Sequence, residues 1–150
     1  SVKVFETKQV VADGATEIDV VMNIGWMKSG MYDEVREELA AVVAAAGGHQ
    51  VKVILENAYL TKEEIVKACQ LVEASGADYV KTSTGFAPTG AILEDVKLMR
   101  ASVSAKMEVK SAGGVKNLDM LLAFMDAGVK RSGASAAAAM LEEFKERFGG

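Results

Sequence analysis

Three lysines and one aspartate stand in runs that otherwise look like buried strands. Asp19 lies in EIDVVMN (17–23), Lys52 in VKVILE (51–56), Lys81 in YVKTS (79–83) and Lys110 in MEVKSA (107–112). Successive strand residues face opposite sides. Ile18 and Val20 therefore share one side of the first run, and Glu17 and Asp19 the other. Val51, Val53 and Leu55 oppose Lys52 and Glu56. Val80 opposes Lys81 and Ser83, and Val109 opposes Glu108 and Lys110. Lysine is rarely buried without a task. Two ammonium groups held close raise each other's free energy, so one pKa falls. A neutral amine is what attacks a carbonyl to form a Schiff base. The competing reading is a paired ionic network that only fixes strand register. Three lysines in the set favour chemistry.

The elements that must position these residues alternate regularly. A helix over Val2–Asp13 stops at Gly14. Strands are expected at Glu17–Asn23, Val51–Glu56, Tyr79–Ser83, Met107–Ala112 and Val129–Gly133. A helix over Met31–Ala46 places Val35, Leu39, Val42 and Val43 on one face and ends at Gly47-Gly48. Thr61 with Glu64 three residues on forms a capping box for the next helix, which runs to Gly76. Further helices follow over Ala91–Ser102, from Asn117 to Gly128, and over Ser135–Phe148. Strands alternating with helices imply right-handed crossovers and a parallel sheet. A doubly wound sheet buries both faces in apolar side chains. A barrel tolerates polar residues near its C-terminal mouth, so the charged parity favours the barrel. No GxGxxG or Walker loop is present, which weakens nucleotide-binding versions of either fold.

Composition narrows the partners. Half of the 150 residues are hydrophobic, and the net charge of -4 is the wrong sign for a nucleic-acid binder. No apolar run reaches membrane-spanning length, and no signal-peptide pattern opens the chain. One cysteine, Cys69, can form no internal disulfide, so a cytoplasmic setting is expected. Cys69 and His49 are too few for a zinc site. No metal and no cofactor is expected.

The stretches EIDVVMNIG (17–25), VKVILEN (51–57), GADYVKTSTGF (76–86), VKSAGGV (109–115) and RSGAS (131–135) resemble deoxyribose-phosphate aldolase. The most specific signal is VKTSTG followed by K-S-A-G-G. The resemblance implies a metal-free, class I aldolase on a TIM-type barrel. Such an enzyme reversibly adds acetaldehyde to glyceraldehyde 3-phosphate, or to similar aldehydes, and so cleaves 2-deoxyribose 5-phosphate. It also implies the roles. Lys81 forms the Schiff base, Lys110 tunes it and joins proton transfer, and Asp19 belongs to a water-mediated proton relay. Lys52, Thr82 and Gly85 would support the substrate, and Gly113, Gly114, Gly133 and Ser135 its phosphate. Those glycines also sit between strands and helices, where amides and the helix dipole favour anions.

The match departs from the family at several places. The first helix resembles the segment after the family's third strand, which leaves about five strands where a closed barrel has eight. The expectation is a single domain over 1–150 forming part of a barrel, with open strand edges that a second copy covers. The alternative is a truncated or engineered half-barrel that self-assembles with little catalysis. Ala136 stands where a second phosphate-binding serine is common, which predicts a weaker anion site. Trp26, Met27 and Met31 form an apolar group after the first strand, read as core or as cover for exposed surface.

Overall fold

The computed structural model describes residues 1–149. Helix α1 (Val2–Ala12) precedes five strand–helix units. These are β1 (Glu17–Val21) with α2 (Ile24–Lys28) and α3 (Tyr32–Ala45), β2 (Gln50–Ile54) with α4 (Lys62–Ala74), β3 (Tyr79–Lys81) with α5 (Leu93–Ala101), β4 (Glu108–Ala112) with α6 (Leu118–Asp126), and β5 (Val129–Gly133) with α7 (Ala137–Phe148). All neighbouring strands pair in parallel, in chain order, with β1 and β5 outermost. Consecutive helices touch one another from α3 to α7. They therefore form one layer on one side of the sheet, as in a barrel wall and unlike a doubly wound fold. Among the described residues no helix is long and apolar enough to cross a membrane.

The apolar parity explains the layer. Val51, Val53, Leu55, Val80 and Val109 are fully buried beneath the helices, against Val35, Leu39, Val42, Ile65, Val72, Val96 and Phe124. Each such side chain contributes about 1.5–3 kcal/mol by leaving water. Helix α4 starts as its sequence demands. The Thr61 hydroxyl accepts from the Glu64 amide, while the Glu64 carboxylate accepts from the Thr61 amide at 2.8 Å.

The other face curls inward. In a flat sheet β1 and β5 would lie four strand spacings apart, roughly 19 Å. Yet the guanidinium of Arg131 on β5 grips both carboxylate oxygens of Glu17 on β1, at 2.7 and 2.8 Å. Two side chains cannot span a flat sheet, so the strands bend into a partial barrel around this contact. A register shift in the β4–β5 ladder pairs Val109 with Val129 but Lys110 with Arg131. Lys130 is thereby skipped, Val129 stays under the helices, and Arg131 turns inward.

Several strand ends differ from expectation. The first strand stops at Val21, because the Asn23 side chain accepts from the Trp26 amide and caps the short helix α2. Met27 on that helix is buried and Trp26 packs partly against the core, so these two of the apolar group are core. The second strand ends at Ile54. Glu56, expected in the strand, has left-handed backbone (φ 55°) and a buried carboxylate that accepts from the amide and hydroxyl of Thr84. Among the described residues it is the one non-glycine with positive φ, a conformation that costs on the order of 1–2 kcal/mol. The third strand ends at Lys81 rather than Ser83.

Candidate active site

The concave face carries its charges in two tiers. The lower tier holds Glu17, Lys52 and Arg131. Lys52 is buried, at 2% exposure. Its ammonium donates to Glu17 at 2.6 Å and to Asp19 Oδ1 at 3.1 Å. Arg131 also lies over the Tyr79 ring, 5.3 Å from its centre. Burial alone would push the Lys52 pKa down, but the bonds from two carboxylates outweigh it and the pKa is raised. Hydrogen bonds from Arg131 and Lys52 hold the exposed Glu17 carboxyl down at about 2.

Asp19 links this tier to the one above. Its second oxygen, Oδ2, accepts from Lys81 at 2.5 Å and from Lys110 at 3.4 Å. Both amines therefore point into one space from adjacent strands, where Lys81 and Lys110 are direct register partners. Burial works against the charged form of Asp19, but bonds from Lys81 and Lys52 prevail and hold its carboxyl at about 2. Lys110 moves the other way. Burial disfavours its ammonium, and Lys81 and Lys52 repel it; these together outweigh the attraction of Asp19, so its pKa is lowered.

Above the lysines opens a cleft of about 670 Å³, lined by Lys81, Lys110, Gly113, Gly114, Gly133 and Ser135, and also by Thr84, Gly85, Lys116 and Ala136. Gly113 and Gly114 both have φ of 73°, which only glycine adopts freely. Gly90 is held by space rather than by φ, since a Cβ there would sit 2.2 Å from the Gly113 carbonyl oxygen. Ala91 completes this seam by donating to the carbonyls of Ala112 and Gly113 at 3.1 and 2.9 Å. The β3–α5 loop is thus tied to Glu56 at its start and to β4 at its end.

Of the residues singled out from sequence, seven line this cleft, namely Lys81, Lys110, Gly85, Gly113, Gly114, Gly133 and Ser135, and Asp19 adjoins it through its bonds to Lys81 and Lys110. Lys52 and Thr82 do not. Lys52 is sealed beneath Asp19, so it meets the carboxylates and not the cleft. Thr82 is fully buried, and its hydroxyl joins β3 to β4 through the Ala112 carbonyl and amide at 3.2 and 3.1 Å. At both positions the polar side-chain atoms are engaged by protein partners. Three contributors were missed. Glu17 shares the parity of Asp19 and was readable. Lys116 follows the Gly-Gly turn, a weaker signal. Arg131 was hidden by the register shift. Among the described residues no three His, Cys, Asp or Glu side chains converge as metal ligands would. Cys69, on helix α4, is buried, and burial pushes its thiol up to about 12.

A profile of the DeoC/LacD family of aldolases matches residues 1–146. The chain belongs to this family. The DeoC/LacD relatives include deoxyribose-phosphate aldolase 1 of Staphylococcus aureus (strain MRSA252), 53% identical over 140 residues, covering 93% of this chain and 64% of the relative. Among solved structures, an aldolase called QR15 superposes with a TM-score of 0.92 at 42% identity, over 97% of this chain and 66% of the other. A tetrameric deoxyribose phosphate aldolase from Aeropyrum pernix superposes with a TM-score of 0.86 at 31% identity, over 96% and 61%. The chain thus spans about 64% of the length of the curated DeoC/LacD relative from Staphylococcus aureus.

Proposed function

We propose that this DeoC/LacD chain performs class I aldol chemistry, with Lys81 as the amine that carries the substrate carbon. The reaction is the reversible addition of acetaldehyde to glyceraldehyde 3-phosphate, equivalent to cleavage of 2-deoxyribose 5-phosphate. The observation that carries the reading is the convergence of Lys81 and Lys110 on one oxygen of Asp19 at the floor of the cleft.

The steps balance without redox change. The Lys81 amine adds to the acetaldehyde carbonyl to give a carbinolamine, which loses water to form an iminium. A base removes a methyl proton, leaving the enamine. The proton travels through water held between Asp19 and Lys110, whose ammonium gives up its proton more readily because it is partly buried and repelled by Lys81 and Lys52. The enamine carbon attacks the second aldehyde, the new alkoxide takes a proton, and hydrolysis releases Lys81. The phosphate would rest on the loops at Gly113-Gly114 and Gly133–Ser135, near the start of α7, where amides and the helix dipole favour an anion. Lys116 adds a positive charge there. Ala136 offers no hydroxyl, so grip on the phosphate is weaker than a serine would give.

Residues 1–150 act as one aldolase domain in the cytoplasm, a setting that the lone buried Cys69 suits. The outer strands β1 and β5 leave one edge each without a partner among the described residues, and unpaired edges favour association. Copies of the chain cover one another there, a reading that the tetrameric Aeropyrum pernix relative supports. Light scattering across a concentration series checks this; a compact monomer throughout rejects it. The chemistry is tested by incubating the chain with acetaldehyde, reducing with borohydride and locating the adduct by mass spectrometry. An ethyl group on Lys81 is expected. A folded chain with no adduct at Lys81 rejects the assignment.

A further inference from the structure

The lower tier of charges takes no part in the steps above, yet it is built with more bonds than the site it supports. Lys52 divides its ammonium between Glu17 at 2.6 Å and Asp19 at 3.1 Å. Glu17 in turn is fixed by Arg131, whose Nη1 donates to both carboxylate oxygens. Asp19 has only two oxygens. One goes to Lys52 and the other serves both mouth lysines. How tightly Lys52 holds Asp19 therefore governs what is left for Lys81 and Lys110.

We propose that Glu17 and Arg131 are positioning residues for the reactive amine: Arg131, reaching across from the opposite outer strand, fixes Glu17 against Lys52, and Lys52 so engaged leaves Asp19 Oδ2 to Lys81 and Lys110. The proposal rests on the aldolase reading only in taking Lys81 as the amine that matters. Inward-facing charged or titratable groups come from every strand: Glu17 and Asp19 on β1, Lys52 on β2, Tyr79 and Lys81 on β3, Glu108 and Lys110 on β4, and Arg131 on β5. In this set four cations face three carboxylates. Removing one charge of either sign tips the balance felt by the mouth amines, and the two signs tip it in opposite directions.

That opposition is the test. The intact chain is pulse-labelled with acetic anhydride between pH 6 and 10, and acetylation of Lys81 and Lys110 is followed by peptide mass spectrometry, with circular dichroism as the check on folding. In Glu17→Gln, Lys52 turns to Asp19 and an anion is lost, so half-maximal labelling moves to lower pH by roughly 0.5–1 unit. In Arg131→Met a cation is lost, and labelling moves to higher pH by a similar amount. Arg131→Lys keeps the charge and holds labelling at the parent pH. This pair needs no change at Glu17, should Glu17→Gln fold poorly. Shifts of the same sign in Glu17→Gln and Arg131→Met overturn the proposal, as does an Arg131→Met profile matching the parent. Labelling needs no aldol turnover. Opposite shifts with no acetaldehyde adduct at Lys81 would sink the aldolase reading and leave this one standing.

Discussion

Lys52 and Lys110 lean on the same aspartate and respond in opposite ways. Below, Lys52 is buried against two carboxylates and its pKa is raised. Above, Lys110 has one carboxylate oxygen at 3.4 Å, shared with Lys81, and its pKa is lowered. Burial penalises both ammonium ions. What separates them is the number of anions each can reach, not depth. The lower tier is consequently a fixed ion cluster, and the upper one a pair of amines short of counter-charge beside an open cleft.

The contrast is broken most severely by Lys81→Leu. The chain should stay folded, with the urea midpoint lowered modestly by the lost bond to Asp19, while aldol turnover falls by roughly 10³-fold or more. Measurable adduct formation at another lysine would place the chemistry elsewhere. Lys110→Leu should lower turnover by about 10²-fold and move Lys81 acetylation to higher pH, since a repelling charge is lost. An unmoved profile would deny it a tuning role. The lower tier should answer in stability instead. Lys52→Met leaves Glu17 and Asp19 facing each other with one cation fewer, and urea unfolding should report a loss of about 2–3 kcal/mol, below the full cost of unpairing a buried ion because both carboxylates are partly exposed.

Acid sharpens the same difference. Asp19 and Glu17 are held at about 2, below ordinary carboxyl values of 3.8 and 4.5. A depressed folded pKa stabilises the fold above the unfolded value and ceases to do so as pH falls through the folded one. The urea midpoint should therefore decline between about pH 4.5 and 2. Asp19→Asn should flatten part of that decline, and an equally steep curve would mean that other carboxyls cause it. The smallest effect lies far from either tier. Thr61→Ala removes the capping box of α4 and should cost about 1 kcal/mol without altering turnover.

Much of this was readable from local pattern. The alternation in EIDVV and VKVIL placed Asp19 and Lys52 on the face opposite the core, and the glycine pair after Lys110 marked the cleft rim. The Thr61–Glu64 spacing fixed the start of a helix. What could not be read depends on curvature or on contacts between distant segments. Nothing near Glu56 signals a left-handed residue, because the reason is Thr84 in the β3–α5 loop. Thr82 looked free to meet a ligand until β4 took its hydroxyl. The grip of Arg131 on Glu17 joins residues 114 positions apart and exists only because the sheet bends.

The skipped residue in β5 carries an implication for insertions and deletions. Val129 and Arg131 are two positions apart and would share a face in a regular strand; the bulge at Lys130 sends one under the helices and turns the other inward. Loss of this single codon would put the arginine directly after the valine, and strict alternation alone would then keep the valine opposite Val109 and the arginine inward opposite Lys110. A frame-preserving deletion of this exposed lysine is thus a mild lesion, removing the local bend and twist that the bulge adds and leaving the inward arginine in place.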